Sequence, residues 1–351
     1  MIEPLDLTHS SSIQHRLDFK TKPLGSLGKL ETLAKQLVLI LSQGMPDTTF
    51  KAAKFVINSP TICVFAGDHG VAREGISIAP SAVTGQMVAN FAQGGAAICV
   101  LARQLGWHLN IVDCGILRAP HNSAIIDCRL GDSTAAFHQQ AAMTYEQLDR
   151  GLSNAAALVQ REIKQGCNLF AFGEMGIGNT TSAAAIFSAL CGVSPESAVG
   201  KGTGVSDEVV KKKQRIIAQA LHLHQMSNDN PRHILQCVGG FEIVHMVGAM
   251  LAVASAKKVI VVDGFIATAA AMLAAAIEPN CKDYMIFAHC SNEQGHQKML
   301  DWLAVEPLLN LDMRLGEGSG AALALPIIQC ALAIYNDMAS FEEADVTQVI
   351  T

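Results

Sequence analysis

Five apolar runs, each closing on Gly, Asp, Glu, His or Cys, constrain this chain more than any other feature: Thr61 to Gly70, Leu109 to Gly115, Cys167 to Glu174, Lys258 to Gly264 and Tyr284 to Cys290. Unbroken apolar runs of this length read as strands buried on both faces, with polar groups gathered at their carboxyl ends. Between them lie Ala-rich stretches of helical character, including Ser81 to Arg103, Thr180 to Leu190, Ser206 to Gln225 and Phe265 to Ala276. Alternating strand and helix predicts an α/β fold with a mostly parallel sheet flanked by helices. Ligands of such sheets bind beyond the carboxyl ends of the strands, where Asp68, His69, Glu174, Asp263 and His289 fall.

The two ends of the chain break this rhythm. Leu27 to Leu41 has a helical pattern after K-P-L-G-S-L-G, and Gly320 to Met338 reads as a final long helix. We expect residues 1–55 and 320–351 to combine into a small helical domain beside a large α/β domain of residues 56–319, with the acidic tail after Met338 frayed.

Composition excludes several functions. Hydrophobic residues make up 50% and aromatic residues only 5%, so the apolar content is mostly small aliphatic side chains that let helices pack closely on a sheet. The balance of 25 basic to 31 acidic residues gives a formal charge of -6, which offers no general attraction for nucleic acid or an anionic membrane. The start, M-I-E-P-L-D, has neither an apolar core nor an Arg-rich character, which points to a cytoplasmic protein. Val259 to Ile277 is the most membrane-like stretch, but Asp263 and Gly264 interrupt it, and a buried strand running into a buried helix explains it without a membrane span. Ten cysteines are scattered singly, with no C-x-x-C pair, as expected of reduced core thiols.

Three glycine-rich segments carry the chemistry. In R-L-G-E-G-S-G, Arg314 to Gly320, Glu317 stands between glycines where a flat substrate could approach it, and Leu315 offers an apolar wall that would raise its pKa toward that of a useful general base; an acidic turn is the plainer reading. In F-G-E-M-G-I-G-N-T-T-S, Phe172 to Ser182, a strand end, a glycine loop and a helix start suit a phosphate, although the glycines could simply make a tight turn. The lysine of a P-loop is missing, so no ATP triphosphate site is indicated. In V-G-K-G-T-G-V-S-D-E, Val199 to Glu208, Ser206 reads as an N-cap; of Lys211, Lys212 and Lys213 beyond it, at most one should turn inward. Asp68 and His69 could form an acid–base dyad. His289, Cys290 and His296 lack the spacing of a metal site.

Taken together and in order, K-P-L-G-S-L-G-K-L-E, F-A-G-D-H-G-V, N-F-A-Q-G-G-A-A-I, F-G-E-M-G-I-G-N-T-T-S, G-K-G-T-G, V-V-D-G-F, A-H-C-S-N-E-Q-G-H and R-L-G-E-G-S-G resemble the nicotinate-nucleotide–dimethylbenzimidazole phosphoribosyltransferases along nearly the whole chain. The resemblance implies a Rossmann-like sheet with a small helical domain from both termini, a homodimer, and transfer of phosphoribose from nicotinate mononucleotide to 5,6-dimethylbenzimidazole without metal or other cofactor. Glu317 matches the family's general base. Ser81, Gln86, Met87 and Leu315 match its benzimidazole pocket. Glu174, Met175, Gly176, Ile177, Gly178, Asn179, Thr180, Gly202, Thr203, Gly204 and Lys213 match its ribose and phosphate site, and Asp263 and His289 occupy matching strand ends. An apolar pocket discriminates poorly between bases that differ by a methyl group, a difference worth about 1 to 3 kcal/mol. The competing readings are a non-catalytic nucleotide sensor and a hydrolase of the same donor that activates water with Asp68 or Glu174.

Overall fold

The computed structural model describes residues 1–200 and 206–347. Six strands form one sheet: β1 (Thr61–Gly67), β2 (His108–Gly115), β3 (Ile125–Asp127), β4 (Leu169–Met175), β5 (Val259–Val262) and β6 (Met285–Phe287). Their order is β3-β2-β1-β4-β5-β6 and every pairing is parallel. The chain winds outward from β1 to β3, then crosses back to place β4 on the other side of β1. This reversal opens a crevice at the carboxyl ends, the usual place for a ligand in such a sheet. All seven residues of β1 are buried, which is why that run shows no alternation.

Helices cover both faces. Side chains along a strand alternate sides: Ile62 of β1 faces Gly318, ahead of the Ser319–Asp337 helix, whereas the Phe65 ring meets His245 of the Phe241–Ser255 helix at 5.7 Å. The second face also carries the Tyr145–Lys164 and Phe265–Ile277 helices, both against Phe241–Ser255. The first carries Lys29–Leu41 and Ala97–Leu105, both against Ser319–Asp337. Ser319–Asp337 is long and apolar enough to cross a membrane by length and composition, but it packs as a core helix, and the Trp107 indole N–H donates to its Ala322 carbonyl at 3.2 Å.

Three details depart from the expected elements. The stretch Ser81 to Arg103 is two helices, Ala82–Ala92 and Ala97–Leu105, because the chain turns at Gly94 with φ +78°. In the run Tyr284 to Cys290, Tyr284 ends a short 3-10 helix and the chain is extended from Met285 but changes partner: the Ala288 N–H still donates to Val262, while His289–Cys290 (β7) pairs with Leu309–Asn310 (β8) in a separate two-stranded sheet. The chain after Met338 is not simply frayed, since Ser340 makes an antiparallel bridge with Lys20 and the Phe341 N–H donates to Phe19 at 3.0 Å. Of the ten cysteines, all free, six are buried, and Cys330 is exposed.

Candidate active site

A cavity of about 300 Å³ lies beyond the carboxyl ends of β4 and β5. Of the residues singled out in the sequence it brings together Met87, Glu174, Met175, Gly176, Ile177, Asn179, Thr180, Asp263, His289, Leu315 and Glu317. Lys213 lies in a small adjoining cavity that shares Thr180, Phe265 and Glu293 with the main one. Gly178 caps the Asn179–Cys191 helix at φ +101° without lining the cavity. Half-buried Ser81 and exposed Gln86 are also outside the lining. Gly202, Thr203 and Gly204 lie outside the described residues.

The segment around Glu317 is an unusual piece of backbone. Gly316, Glu317 and Gly318 all have positive φ, at +82°, +63° and +85°. Only glycine adopts this region freely, so a glutamate held there must be fixed by its surroundings, a kind of strain that concentrates at functional sites. The surroundings are visible. A Cβ on Gly316 would stand 2.1 Å from a carboxylate oxygen of Glu174, and one on Gly173 of β4 would stand 2.2 Å from the Glu317 carbonyl oxygen. The flanking glycines therefore serve backbone conformation and close packing as well as leaving Glu317 unobstructed.

Asp263, just beyond β5, holds the other end of this loop. Its Oδ1 accepts from the Ala321 N–H at 2.8 Å, and the backbone N–H groups of Gly320 and Gly318 donate to the same carboxylate. Asp263 thus satisfies the amino end of the Ser319–Asp337 helix from outside, a capping role reached through tertiary contact. His289 lies behind it, with Nε2 3.8 Å from Asp263 Oδ1 and its ring under Gly320, where a Cβ would come within 2.0 Å.

Four acidic groups influence one another here. Glu317 is 5% exposed, its Oε2 has no hydrogen-bond partner among the described residues, and the Ile98 N–H donates to its carboxylate. Burial, helped by the Asp263 charge, raises its pKa although the Ile98 bond opposes the rise. The Glu174 carboxyl is pushed up to about 8 by burial first, then by Glu242 and Asp263, against the hydrogen bond that the Asn179 amide donates to it. Burial also raises Asp263, against the attraction of His289. Two neighbouring carboxyl groups with different surroundings can hold different protonation states, which is how acid and base roles are divided within one site.

The glycine loop after β4 is tightly seated. A Cβ on Gly176 would be 2.3 Å from the Gly67 carbonyl oxygen, and the Ile177 N–H donates to the Thr84 hydroxyl at 3.2 Å. Ser206 caps its helix as expected, its hydroxyl accepting from the Val209 N–H at 3.4 Å. Of the three lysines only Lys213 is buried; burial lowers its pKa, opposed by Glu293, and its Nζ donates to the Thr180 hydroxyl at 3.5 Å. Lys212 donates instead to the Glu74 carbonyl.

Asp68 and His69 do not form a dyad facing the cavity. Asp68 accepts from the Leu117 N–H at 2.9 Å, whereas His69 meets Glu242 at 2.6 Å and Ser182 at 3.1 Å, with its ring against Gly176. His296 accepts from the Ser291 N–H at 2.7 Å and meets Thr268 at 2.9 Å; burial first, then the nearby His289, pushes its pKa down to about 3. Among the described residues no cluster of His, Cys, Asp and Glu could hold a metal ion. Arg314, Phe265, Ser291 and Glu293 line the cavity without having been singled out as site residues. The sequence signal for Arg314 was its place in the R-L-G-E-G-S-G motif; Glu293 had only its place in A-H-C-S-N-E-Q-G-H.

A phosphoribosyltransferase family model matches residues 2–346. The chain is 55% identical over 350 residues to the nicotinate-nucleotide–dimethylbenzimidazole phosphoribosyltransferase of Pseudoalteromonas translucida (strain TAC 125), covering 99% of each chain. The protein of the same name from Shewanella sp. (strain ANA-3) is also 55% identical, over 99% of this chain and 97% of its own. The crystal structure of CobT from Thermus thermophilus superposes with a TM-score of 0.90 at 37% identity, over 97% of this chain and 99% of that one. Sequence and fold agree along the whole length, and the chain therefore belongs to the nicotinate-nucleotide–dimethylbenzimidazole phosphoribosyltransferase family of transferases.

Proposed function

We propose that this enzyme transfers the phosphoribosyl group of nicotinate mononucleotide to 5,6-dimethylbenzimidazole, giving α-ribazole 5′-phosphate and nicotinate, with Glu317 as the general base. The observation that carries the reading is the Glu317 carboxylate: buried at the cavity, held by one backbone N–H, with one oxygen unpartnered among the described residues. The donor's pyridinium is already a cationic leaving group. As the C1′–N bond breaks, its electron pair returns to the ring and positive charge builds on the ribose. One nitrogen of the acceptor attacks C1′ from the opposite side, and the other nitrogen must lose its proton. A positioned carboxylate with a free oxygen and a raised pKa can take that proton.

The neighbours have supporting roles. Met87 and Leu315 give the acceptor apolar walls. Glu174, with its pKa near 8, is largely protonated at neutral pH, so it does not compete with Glu317 as base and can donate a hydrogen bond. Asp263 fixes the loop that carries Glu317. The start of the Asn179–Cys191 helix, Thr180 and Lys213 offer an anion site for the 5′-phosphate. The experiment is to incubate the protein with nicotinate mononucleotide, with and without dimethylbenzimidazole, and follow nicotinate and α-ribazole phosphate by chromatography and mass. Product only with the base supports transfer. Equal nicotinate release without the base means hydrolysis, and turnover in neither mixture refutes the reading.

A further inference from the structure

His69 has a buried side-chain partner on each ring nitrogen. Its Nε2 lies 2.6 Å from Oε1 of Glu242, and its Nδ1 lies 3.1 Å from the Ser182 hydroxyl. A carboxylate only accepts, so the Nε2 hydrogen points at Glu242. Oε2 of Glu242 has no hydrogen-bond partner among the described residues, so this buried carboxylate depends on His69. The order Ser–His–Glu has the contacts of a hydrolytic triad. Here it cannot serve as one: Ser182 and Glu242 are 0% exposed and His69 2%, which leaves the Ser182 hydroxyl no surface where a substrate could meet it. None of the three forms part of the cavity wall.

The three side chains tie three elements together behind the cavity. His69 follows β1, Ser182 stands in the first turn of the Asn179–Cys191 helix, and Glu242 stands in the first turn of the Phe241–Ser255 helix, where the helix dipole favours a carboxylate. The glycine loop after β4 lies directly on the His69 side chain. A Cβ on Gly176 would stand 3.4 Å from His69 Nε2, and one on Gly178 would stand 3.4 Å from His69 Cβ. Gly67 and Gly240 make room for the pair beneath: a Cβ would come 2.7 Å from Glu242 Oε2 at the first and 2.4 Å from His69 Cε1 at the second. An imidazole bonded at both nitrogens and packed this closely is fixed in one orientation, and the loop resting on it has one seat.

On the reading of this cavity as the donor site, we propose that Glu242, acting through His69, is a positioning residue for the ribose-phosphate half of the donor. Glu174, Ile177, Asn179 and Thr180 line the cavity from the strand end, loop and helix start that rest on His69. Backbone N–H groups hold an anion only while they converge on it, and glycines supply no stiffness of their own. The stiffness comes from the ring beneath, and Ser182 ties the helix start to the same ring, so loop and helix hold one geometry. Glu242 also reaches the cavity through its charge: after burial, it does most to raise the Glu174 carboxyl. The acceptor wall is seated elsewhere, with Leu315 on the segment held by Gly173 and Asp263. Loosening His69 therefore weakens the grip on the donor and spares the acceptor.

The test applies steady-state kinetics with each substrate varied in turn, calorimetric binding of nicotinate mononucleotide and thermal unfolding to wild type, Glu242→Gln, Ser182→Ala and the double variant. Glu242→Gln keeps the shape but loses the charge-assisted bond to His69. Its Michaelis constant and Kd for the donor should rise about 10-fold, while kcat and the acceptor constant stay within about 3-fold. Ser182→Ala removes one neutral hydrogen bond and should raise the same two donor constants about 3-fold. Both changes act through one ring, so the double variant should fall short of the roughly 30-fold product of the two. Losses that multiply in full, equal rises for donor and acceptor, or a lower melting temperature with unchanged donor binding would overturn the proposal. If Glu242→Gln does not fold, a Ser182→Ala protein with wild-type donor binding overturns it. A wild type that binds the donor without turnover refutes the proposed reaction, and the calorimetric comparison still judges Glu242; a wild type that binds no donor refutes both.

Discussion

Gly173 and Glu317 touch backbone to backbone: a Cβ added to Gly173 would lie 2.2 Å from the Glu317 carbonyl oxygen and 2.3 Å from its carbonyl carbon. Gly173 belongs to β4 and faces Val64 of β1 across the sheet, so the loop that presents Glu317 rests on the rigid centre of the fold. Its left-handed backbone is kept in place by this contact, by Glu174 against Gly316 and by Asp263 at the following helix.

Gly173→Ala should therefore damage the loop specifically. Overpacking of this kind costs about 1–3 kcal/mol, and the shift it forces on Glu317 should lower turnover about 10-fold or more. Thermal unfolding and steady-state turnover of the same sample check both effects. A folded variant with full activity would show that this seat does not set the position of Glu317.

Much of this site was legible in the sequence, for identifiable reasons. Apolar runs closing on polar residues marked the strand ends, and Glu174, Asp263 and His289 fell where a parallel sheet gathers ligands. The reason for the glycines beside Glu317 was only partly legible, because their partners, Glu174 and Gly173, come from a strand more than a hundred residues earlier in the chain. The Asp68–His69 pair misled for a related reason. Neighbours in extended backbone point to opposite sides, and the true partner of His69, Glu242, is 173 residues away. That Glu293 and Lys213 border one small cavity was hidden in the same way.

Glu174 should leave a mark on stability. Its folded pKa of about 8 lies above the ordinary carboxyl value of 4.5, so the unfolded chain ionises first as pH rises. Between those values the folded state holds the extra proton, and stability falls with increasing pH until the folded group also ionises. In Glu174→Gln that contribution is absent, and its melting temperature should drop less than that of wild type between about pH 5 and pH 8. Parallel melting curves for the two proteins would show instead that the Glu174 pKa is not raised.

Lys213 is the buried cation beside Thr180. Lys213→Ala should raise the Michaelis constant for nicotinate mononucleotide about 10-fold or more, while that for dimethylbenzimidazole stays within about 2-fold. Steady-state kinetics with each substrate varied in turn separates the two. An unchanged donor constant would remove Lys213 from the phosphate site.

The most direct test is the turnover of Glu317→Gln with nicotinate mononucleotide and dimethylbenzimidazole, alongside calorimetric binding of dimethylbenzimidazole to the same variant. Glutamine keeps the shape and one oxygen but cannot take the acceptor's proton, so binding should persist while turnover falls at least ~100-fold. Turnover near that of wild type, with the base still bound, would contradict the assignment of Glu317 as the proton acceptor.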